Sequence, residues 1–144
     1  MTKRLAAELE GIRVEVPSNI PVMLIREIDE ARRVIPIYIG EAEASSISVA
    51  LSGVVPDRPL THDLMLNTIA EMGGEVVMVV VTDVQEHTYF ANIHIAVDGV
   101  EKVISARPSD AIALAVRAEV PVFVESDLMD KVGKSAVTAD ESDE

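Results

Sequence analysis

Val76-Val77-Met78-Val79-Val80-Val81 forms a continuous apolar run that is too short for an ordinary buried helix and too rich in β-branched residues to favour one. It predicts a strand that is covered on both faces. In the next segment, Tyr89 to Val97, apolar residues alternate with other residues, which is typical of a strand with one buried face. Asp98-Gly99 then favours a tight hairpin turn into a further strand, Val100 to Ser105. This part of the chain therefore predicts three antiparallel strands.

The first forty residues predict a second group of strands. Apolar residues alternate between Ile12 and Val16, and an apolar stretch runs from Val22 to Ile28. A third stretch, Val34 to Ile39, contains Pro36, which cannot donate a hydrogen bond to a neighbouring strand. We therefore expect a meander whose third strand lies at an edge or carries a bulge.

Helical periodicity separates and follows these strands. The pattern predicts helices from Gly40 to Gly53, from Thr61 as N-cap to Gly73, and from Pro108 onward, with a short helix from Ser126 to Val132. A short buried strand is expected just before the last helix. Two groups of strands separated by helices indicate an α+β fold, with a mostly antiparallel or mixed sheet, three main helices and a short C-terminal helix.

One domain is expected, because 144 residues of which 49% are hydrophobic can bury a single core. We assign residues 1–10 to an N-terminal extension and residues 11–132 to the domain. Residues 133–144 are small, polar and acidic, which is the composition of a disordered tail. No apolar run approaches membrane-spanning length, and the absence of cysteine fits a cytoplasmic protein.

The composition also excludes several function classes. A net charge of -13 argues against a protein that holds nucleic acid on a broad basic surface. Two tyrosines and two phenylalanines are too few to predict a platform for stacked bases. Without cysteine there is no thiol nucleophile, and the three histidines lack the spacing of a helical metal pair. Phosphate-binding glycine loops and dinucleotide fingerprints are absent as well.

Two similar segments remain as candidates for chemistry, Arg58-Pro59-Leu60-Thr61-His62-Asp63 and Arg107-Pro108-Ser109-Asp110. Each places Arg-Pro before a helix whose first turn carries an aspartate. A helix N-terminus with an adjacent arginine suits a phosphate group. The two aspartates, with Glu43 at the start of the first helix, could hold a hard divalent cation. Metal and arginine together would polarise a phosphodiester and activate a water molecule.

A structural interpretation of these residues stands beside the chemical one. First-turn acids such as Glu43, Asp63 and Asp110 stabilise a helix by opposing its dipole. The arginines can pair with nearby carboxylates, and a histidine close to an N-cap is commonly a surface or capping residue.

Three segments of the chain together resemble the bifunctional nuclease domain family. They are Pro36 to Ala44, Arg58 to Leu64 and Ala106 to Ala115, and the resemblance extends over residues 11–133. It implies an α+β domain that forms a homodimer, with nuclease activity of low sequence specificity on both RNA and DNA. The family motifs coincide with eight positions of this chain: Glu43, Arg58, Thr61, His62, Asp63, Arg107, Ser109 and Asp110.

Two hypotheses follow. In the first, the protein is a nuclease assisted by magnesium or manganese, with Glu43, Asp63 and Asp110 as metal ligands. Its catalytic residues would be His62, Asp63 and Asp110, with the histidine carrying a proton, and its phosphate-binding residues Arg58, Arg107 and Ser109. Nucleic acid would be a weakly held substrate, because the chain has few basic residues and many acidic ones. In the second, the protein is a dimeric, non-catalytic regulatory module that holds a small anion at the Arg-Pro helix starts.

Overall fold

Residues 2–29 and 31–135 are described by a computed structural model. In these ranges the strands are β1 (Arg4–Glu15), β2 (Ile20–Glu27), β3 (Val34–Tyr38), β4 (Gly74–Gln85), β5 (Thr88–Val97), β6 (Val100–Ala106) and β7 (Val122–Glu125). The helices are α1 (Glu41–Ser52), α2 (Thr61–Glu71), α3 (Pro108–Ala118) and α4 (Ser126–Val132).

The strands form one mixed sheet in the order β3-β2-β1-β7-β4-β5-β6. The meanders β1-β2-β3 and β4-β5-β6 are joined by β7, which is antiparallel to β1 and parallel to β4. This arrangement confirms the predicted α+β fold, and β3 with its Pro36 is an edge strand, as predicted. The turn between β5 and β6 has positive φ at both Asp98 and Gly99, as a tight hairpin turn requires.

The predicted buried strand is β4, an interior strand that lies between β7 and β5. Val79, Val80 and Val81 are all at most 1% exposed, so both faces of the strand are covered at this point. The same three residues pair with Val122 to Val124 of β7. A short strand from the end of the chain therefore occupies the middle of the sheet.

The N-terminal boundary differs from the prediction. Residues 4–10, assigned above to an extension, form the first half of β1 and pair with β2 and β7. Ala7 of this segment is buried in the core. The segment is rich in alanine and charged residues, so it has little strand character of its own. Its strand conformation comes from partners near residue 27 and residues 122–125.

The predicted tail begins within the described residues and continues outside them. Lys134 pairs with Val34 of β3 through two backbone hydrogen bonds of 2.8 Å. Residues 136–144, and with them most of the predicted disordered segment, lie outside the described residues.

Helix α3 lies at the heart of the core. Every residue from Ala111 to Ala115 is buried, and α3 packs against α1, α2, β4 and β5. Alanine at alternate positions permits this close approach, because the side chain ends at Cβ. The polar residues at the start of α3 are consequently held on a rigid support.

Candidate active site

Polar side chains from three helices meet where the starts of α2 and α3 face α1. They line a cleft of about 740 Å³, which we call the relay cleft and define by Glu43, Ser46, His62, Arg107 and Asp110. Two of these residues come from α1, one from the first turn of α2, and two from the start of α3. The packing of α1 and α2 against α3 brings them together.

His62 joins two of these helices to its own. Its Nε2 lies 2.8 Å from Asp110 Oδ1, and its Nδ1 lies 2.6 Å from Ser46 Oγ. Since an ionised carboxylate only accepts hydrogen bonds, Nε2 carries the proton in the neutral ring, and Nδ1 accepts the serine hydroxyl proton. His62 is 7% exposed, whereas Ser46 and Asp110, its two partners, are both half-buried.

The carboxylate of Asp110 is kept ionised by its neighbours. Burial alone would raise the pKa of Asp110, but hydrogen bonds and charge from Arg107 and His62 outweigh burial and lower the pKa. Arg107 donates from Nε to Oδ2 at 2.9 Å and from Nη2 to Oδ1 at 3.3 Å. Asp110 therefore orients both a histidine and an arginine.

Arg107 also contacts Glu43, yet it remains open to solvent. Its Nη1 lies 3.3 Å from Glu43 Oε1, and 64% of its side chain is exposed. The Glu43 carboxylate fits here because residue 40 is glycine: a Cβ at Gly40 would lie 2.5 Å from Glu43 Oε1. The guanidinium of Arg107 is thus positioned by two carboxylates and accessible to an anionic ligand.

Asp63 faces a different set of partners. Its Oδ2 accepts the backbone N–H of Leu60 at 2.9 Å, and its Oδ1 accepts Arg117 Nε at 2.8 Å. These hydrogen bonds outweigh the effect of burial and lower the pKa of Asp63. Leu60, rather than the predicted Thr61, is the N-cap residue of α2. Asp63 stabilises the start of α2 and links it to α3.

The helical pattern of α3 predicts Arg117 on the solvent-facing side of that helix, and this prediction is wrong. Its side chain is 7% exposed, and its two terminal nitrogens donate to the carbonyl oxygens of Ala113 and Ser46. It therefore connects all three helices around the site. Ser46 was missed as well, because nothing in the local pattern separates it from the other serines of α1.

The two remaining predicted residues lie outside the relay cleft. Arg58 is exposed and forms no ion pair with any residue in 2–29 or 31–135. Ser109 is 5% exposed and lines a second cleft of about 750 Å³, together with Tyr38, Tyr89 and Lys134. We call this second space the tyrosine cleft. Glu43 and Arg107 line both clefts, so the two are contiguous.

The predicted metal ligands are not gathered into one set. Asp63 is bound to Arg117, whereas Glu43 and Asp110 share Arg107. The described part of the chain contains no cluster of three or more histidine or acidic side chains arranged to hold a metal ion. Magnesium is commonly bound by one or two carboxylates together with substrate phosphate; here Glu43 and Asp110 both contact the guanidinium of Arg107.

Comparison with known proteins identifies the family of this chain. A model of the bifunctional nuclease domain matches residues 23–136. The chain belongs to the bifunctional nuclease domain family. All the predicted site residues, from Glu43 to Asp110, fall within the matched range. Membership of this family supports a nuclease role.

Relatives of the domain occur in bacteria and plants. The chain is 46% identical to an uncharacterized protein of Mycobacterium tuberculosis over 134 residues, which are 93% of this chain and 78% of the relative. It is 30% identical to bifunctional nuclease 1 of Arabidopsis thaliana over 107 residues, and to bifunctional nuclease 2 of Oryza sativa subsp. japonica over 122 residues. These matches cover 72% and 83% of this chain, but only 33% and 38% of the plant proteins.

Among the described residues, no helix combines the length and apolar character needed to cross a membrane.

Proposed function

We propose that this domain is a nuclease that hydrolyses phosphodiester bonds in RNA and DNA with low sequence specificity. The observation that carries the proposal is the chain of hydrogen bonds Ser46–His62–Asp110 beside the exposed guanidinium of Arg107. It combines a proton acceptor with a phosphate-binding group in one cleft. A site that contacts the phosphate has no basis for selecting a base, because every nucleotide carries the same phosphate.

The hydrolysis would proceed by attack of water on phosphorus. As the new bond to phosphorus forms, the water gives a proton to Ser46 Oγ, and the serine proton moves to Nδ1 of His62. Asp110 stabilises the resulting imidazolium. Arg107 donates hydrogen bonds to the phosphate oxygens as their charge develops. His62 then returns the proton through Ser46 Oγ to the leaving sugar oxygen as its bond to phosphorus breaks. DNA lacks the 2′-hydroxyl, so a water nucleophile accounts for activity on both substrates.

Magnesium or manganese remains part of the proposal. Glu43, with Asp110 beside it, would hold the ion together with the substrate phosphate. The ion would supply neutralisation of phosphate charge. The steps above depend only on residues of the chain.

Substitution of Ser46 gives a direct test. Short fluorescent RNA and DNA strands are incubated with the parent protein, Ser46→Ala and, as a control, Ser48→Ala, an exposed serine of the same helix that lies outside both clefts. We expect Ser46→Ala to lower kcat by about 100-fold, as loss of a proton-transfer group does, and Ser48→Ala to retain activity. Equal cleavage by all three would remove Ser46 from the mechanism.

A non-catalytic module is the second candidate. It is favoured by the net charge of -13 and by the two carboxylates that already pair with Arg107. In that case the domain would bind inorganic phosphate or a nucleotide at Arg107 without cleaving any strand. Calorimetric titration with phosphate, done beside the nuclease assay, distinguishes the two candidates.

A homodimer is also proposed. Its support is the exposed apolar surface at one end of β1 and β2, where Val14, Val16 and Ile20 are 54%, 80% and 43% exposed. Light scattering at micromolar concentration is expected to give twice the mass of one chain. A mass of one chain would contradict the proposal.

A further inference from the structure

The tyrosine cleft gathers cationic and aromatic side chains from four separate parts of the chain. Tyr38 comes from the edge strand β3, His87 and Tyr89 from the hairpin between β4 and β5, Arg107 from the start of α3, and Lys131 and Lys134 from the end of α4 and beyond. No local motif predicts this grouping.

The charge of the cleft is opposite to that of the protein. Three cations, Arg107, Lys131 and Lys134, and one carboxylate, Glu43, line it, in a chain whose net charge is -13. Both lysines are exposed, and neither forms an ion pair with a residue in the described ranges 2–29 and 31–135. Such a cleft attracts an anion locally, although the protein as a whole is acidic.

The aromatic residues of the cleft suit the flat face of a nucleobase. Both tyrosines of the chain line it, and Tyr38 is 59% exposed. His87 stands at the tip of its hairpin, where Glu86 and His87 both have positive φ, as a tight two-residue turn requires. Aromatic faces stack on unpaired bases and tolerate any sequence. A typical site for single-stranded nucleic acid combines basic side chains, which contact the phosphate backbone of the strand, with aromatic side chains, which stack on its bases.

We propose that the tyrosine cleft binds a single-stranded segment of nucleic acid and leads its backbone past Arg107 into the relay cleft. Glu43 and Arg107 line both clefts, so a strand bound in one reaches the Ser46–His62–Asp110 chain in the other. A duplex is disfavoured, because its base faces are covered by their neighbours. This inference rests on the proposed nuclease function and adds the form of its substrate.

Binding can be measured separately from cleavage. The probe is a fluorescein-labelled strand of ten thymidylates, and its anisotropy is followed with the full chain carrying Ser46→Ala, which slows cleavage of the strand. In this background we expect Tyr38→Ala to weaken binding about tenfold through lost stacking, and Tyr38→Phe to change affinity by less than about twofold. The same strand in a duplex is expected to bind more weakly.

The lysines are tested through salt dependence. Lys131→Gln with Lys134→Gln is expected to reduce the slope of log Kd against log salt concentration by about 1.4, because each phosphate contact on a single strand contributes about 0.7. The matched control, Lys3→Gln with Lys102→Gln, removes the same charge from two exposed lysines outside the cleft and is expected to retain the slope.

Three results would overturn the proposal: equal slopes for the two double variants, unchanged affinity of Tyr38→Ala, or duplex binding as tight as single-strand binding. The nuclease proposal fails independently of these. If the parent protein cleaves nothing but the cleft variants show the expected losses of binding, the cleft binds a strand that the domain does not cut. If the parent protein cleaves but the cleft variants bind like the parent, the strand follows another path.

Discussion

His62 Nε2 and Asp110 Oδ1 lie 2.8 Å apart although 48 positions separate the two residues in the chain. The contact joins the first turns of two helices that the sequence analysis had singled out separately. Because Nε2 donates its proton to Asp110, Nδ1 accepts a hydrogen bond from the hydroxyl of Ser46, 2.6 Å away. One contact thus sets the tautomer of the histidine and determines which cleft residue exchanges protons with it.

Replacement of Asp110 by asparagine tests this contact. We expect Asp110→Asn to lower kcat by at least about 100-fold, because the amide can present its N–H to Nε2 and reverse the tautomer. Nitrogen NMR of His62 should show the proton on Nε2 in the parent and on Nδ1 in the variant. Asp127→Asn, at the first turn of α4, is the control. An unchanged tautomer together with full activity would remove Asp110 from the mechanism.

Arg107 is expected to act on the phosphate. Arg107→Met should lower kcat/KM by about 100-fold, since it removes a donor aimed at developing charge, and Arg107→Lys should recover only part of the loss because lysine lacks the bidentate fork. Steady-state cleavage of a short DNA strand provides the measurement. Arg32→Met, an exposed arginine on the β2–β3 connection, removes the same charge as a control. Equal losses for the two arginines would mean that net charge alone matters.

Arg117 is expected to contribute to stability. It is buried, pairs with Asp63, and donates to two backbone carbonyls. Arg117→Met should lower the free energy of unfolding by about 3 kcal/mol, because Asp63 loses its charge partner in a partly buried position. Urea denaturation measures the change. The control is Arg58→Met, since Arg58 is exposed and has no ion pair with the residues described by the structure. A comparable loss in the control would contradict the assignment.

Stability should fall at acidic pH. The pKa values of Asp63 and Asp110 are below the ordinary 3.8, and the pKa of Glu27, which binds Arg33, is below 4.5. The folded state therefore favours the ionised form of each group. Its contribution is complete above the ordinary pKa and is lost as pH falls through the lower folded pKa. Urea unfolding between pH 7 and pH 3 should show the free energy of unfolding declining below about pH 5.

A variant separates these carboxylates from the others. Glu27→Gln combined with Asp63→Asn should flatten the decline, because two of the groups no longer titrate. A pH dependence equal to that of the parent protein would show that other groups cause the loss.

Removal of divalent metal tests the cofactor proposal. We expect EDTA to suppress cleavage and added manganese or magnesium to restore it. Glu43→Gln should raise the metal concentration needed for half-maximal activity, because a neutral amide is a weaker ligand for a hard cation. The control is Glu41→Gln in the same first turn, which lines neither cleft. Full activity in EDTA would establish that the cleavage is metal-free.

Much of the fold was predictable from local patterns. The β-branched run at Val76 and the Asp98-Gly99 turn identified three strands. A strand buried on both faces favours β-branched residues, and a turn with positive φ favours Asp-Gly. Residues 4–10 were missed for the opposite reason: their strand is stabilised by pairing with β2 and β7, and neither partner is adjacent in sequence.

The candidate site was predicted only in part. The motif of Arg-Pro followed by an aspartate, repeated at two helix starts, indicated His62, Arg107 and Asp110. These three residues do meet in the relay cleft. The repeated motif indicated Arg58 and Asp63 equally. In the structure, however, Arg58 is exposed outside the relay cleft and Asp63 pairs with Arg117. A repeated motif shows that two helices begin alike, but the direction of each side chain depends on the elements packed against it.

The sequence by itself determined the α+β class, the helix starts to within one residue and the low capacity for a basic surface, because these depend on periodicity, capping and total charge. Only the tertiary structure decided the partners. It placed Ser46 against His62 and brought both tyrosines and two lysines into one cleft, across separations of up to about a hundred residues. A cleft is formed by the packing of distant elements, so its composition cannot be read from any local stretch of the chain.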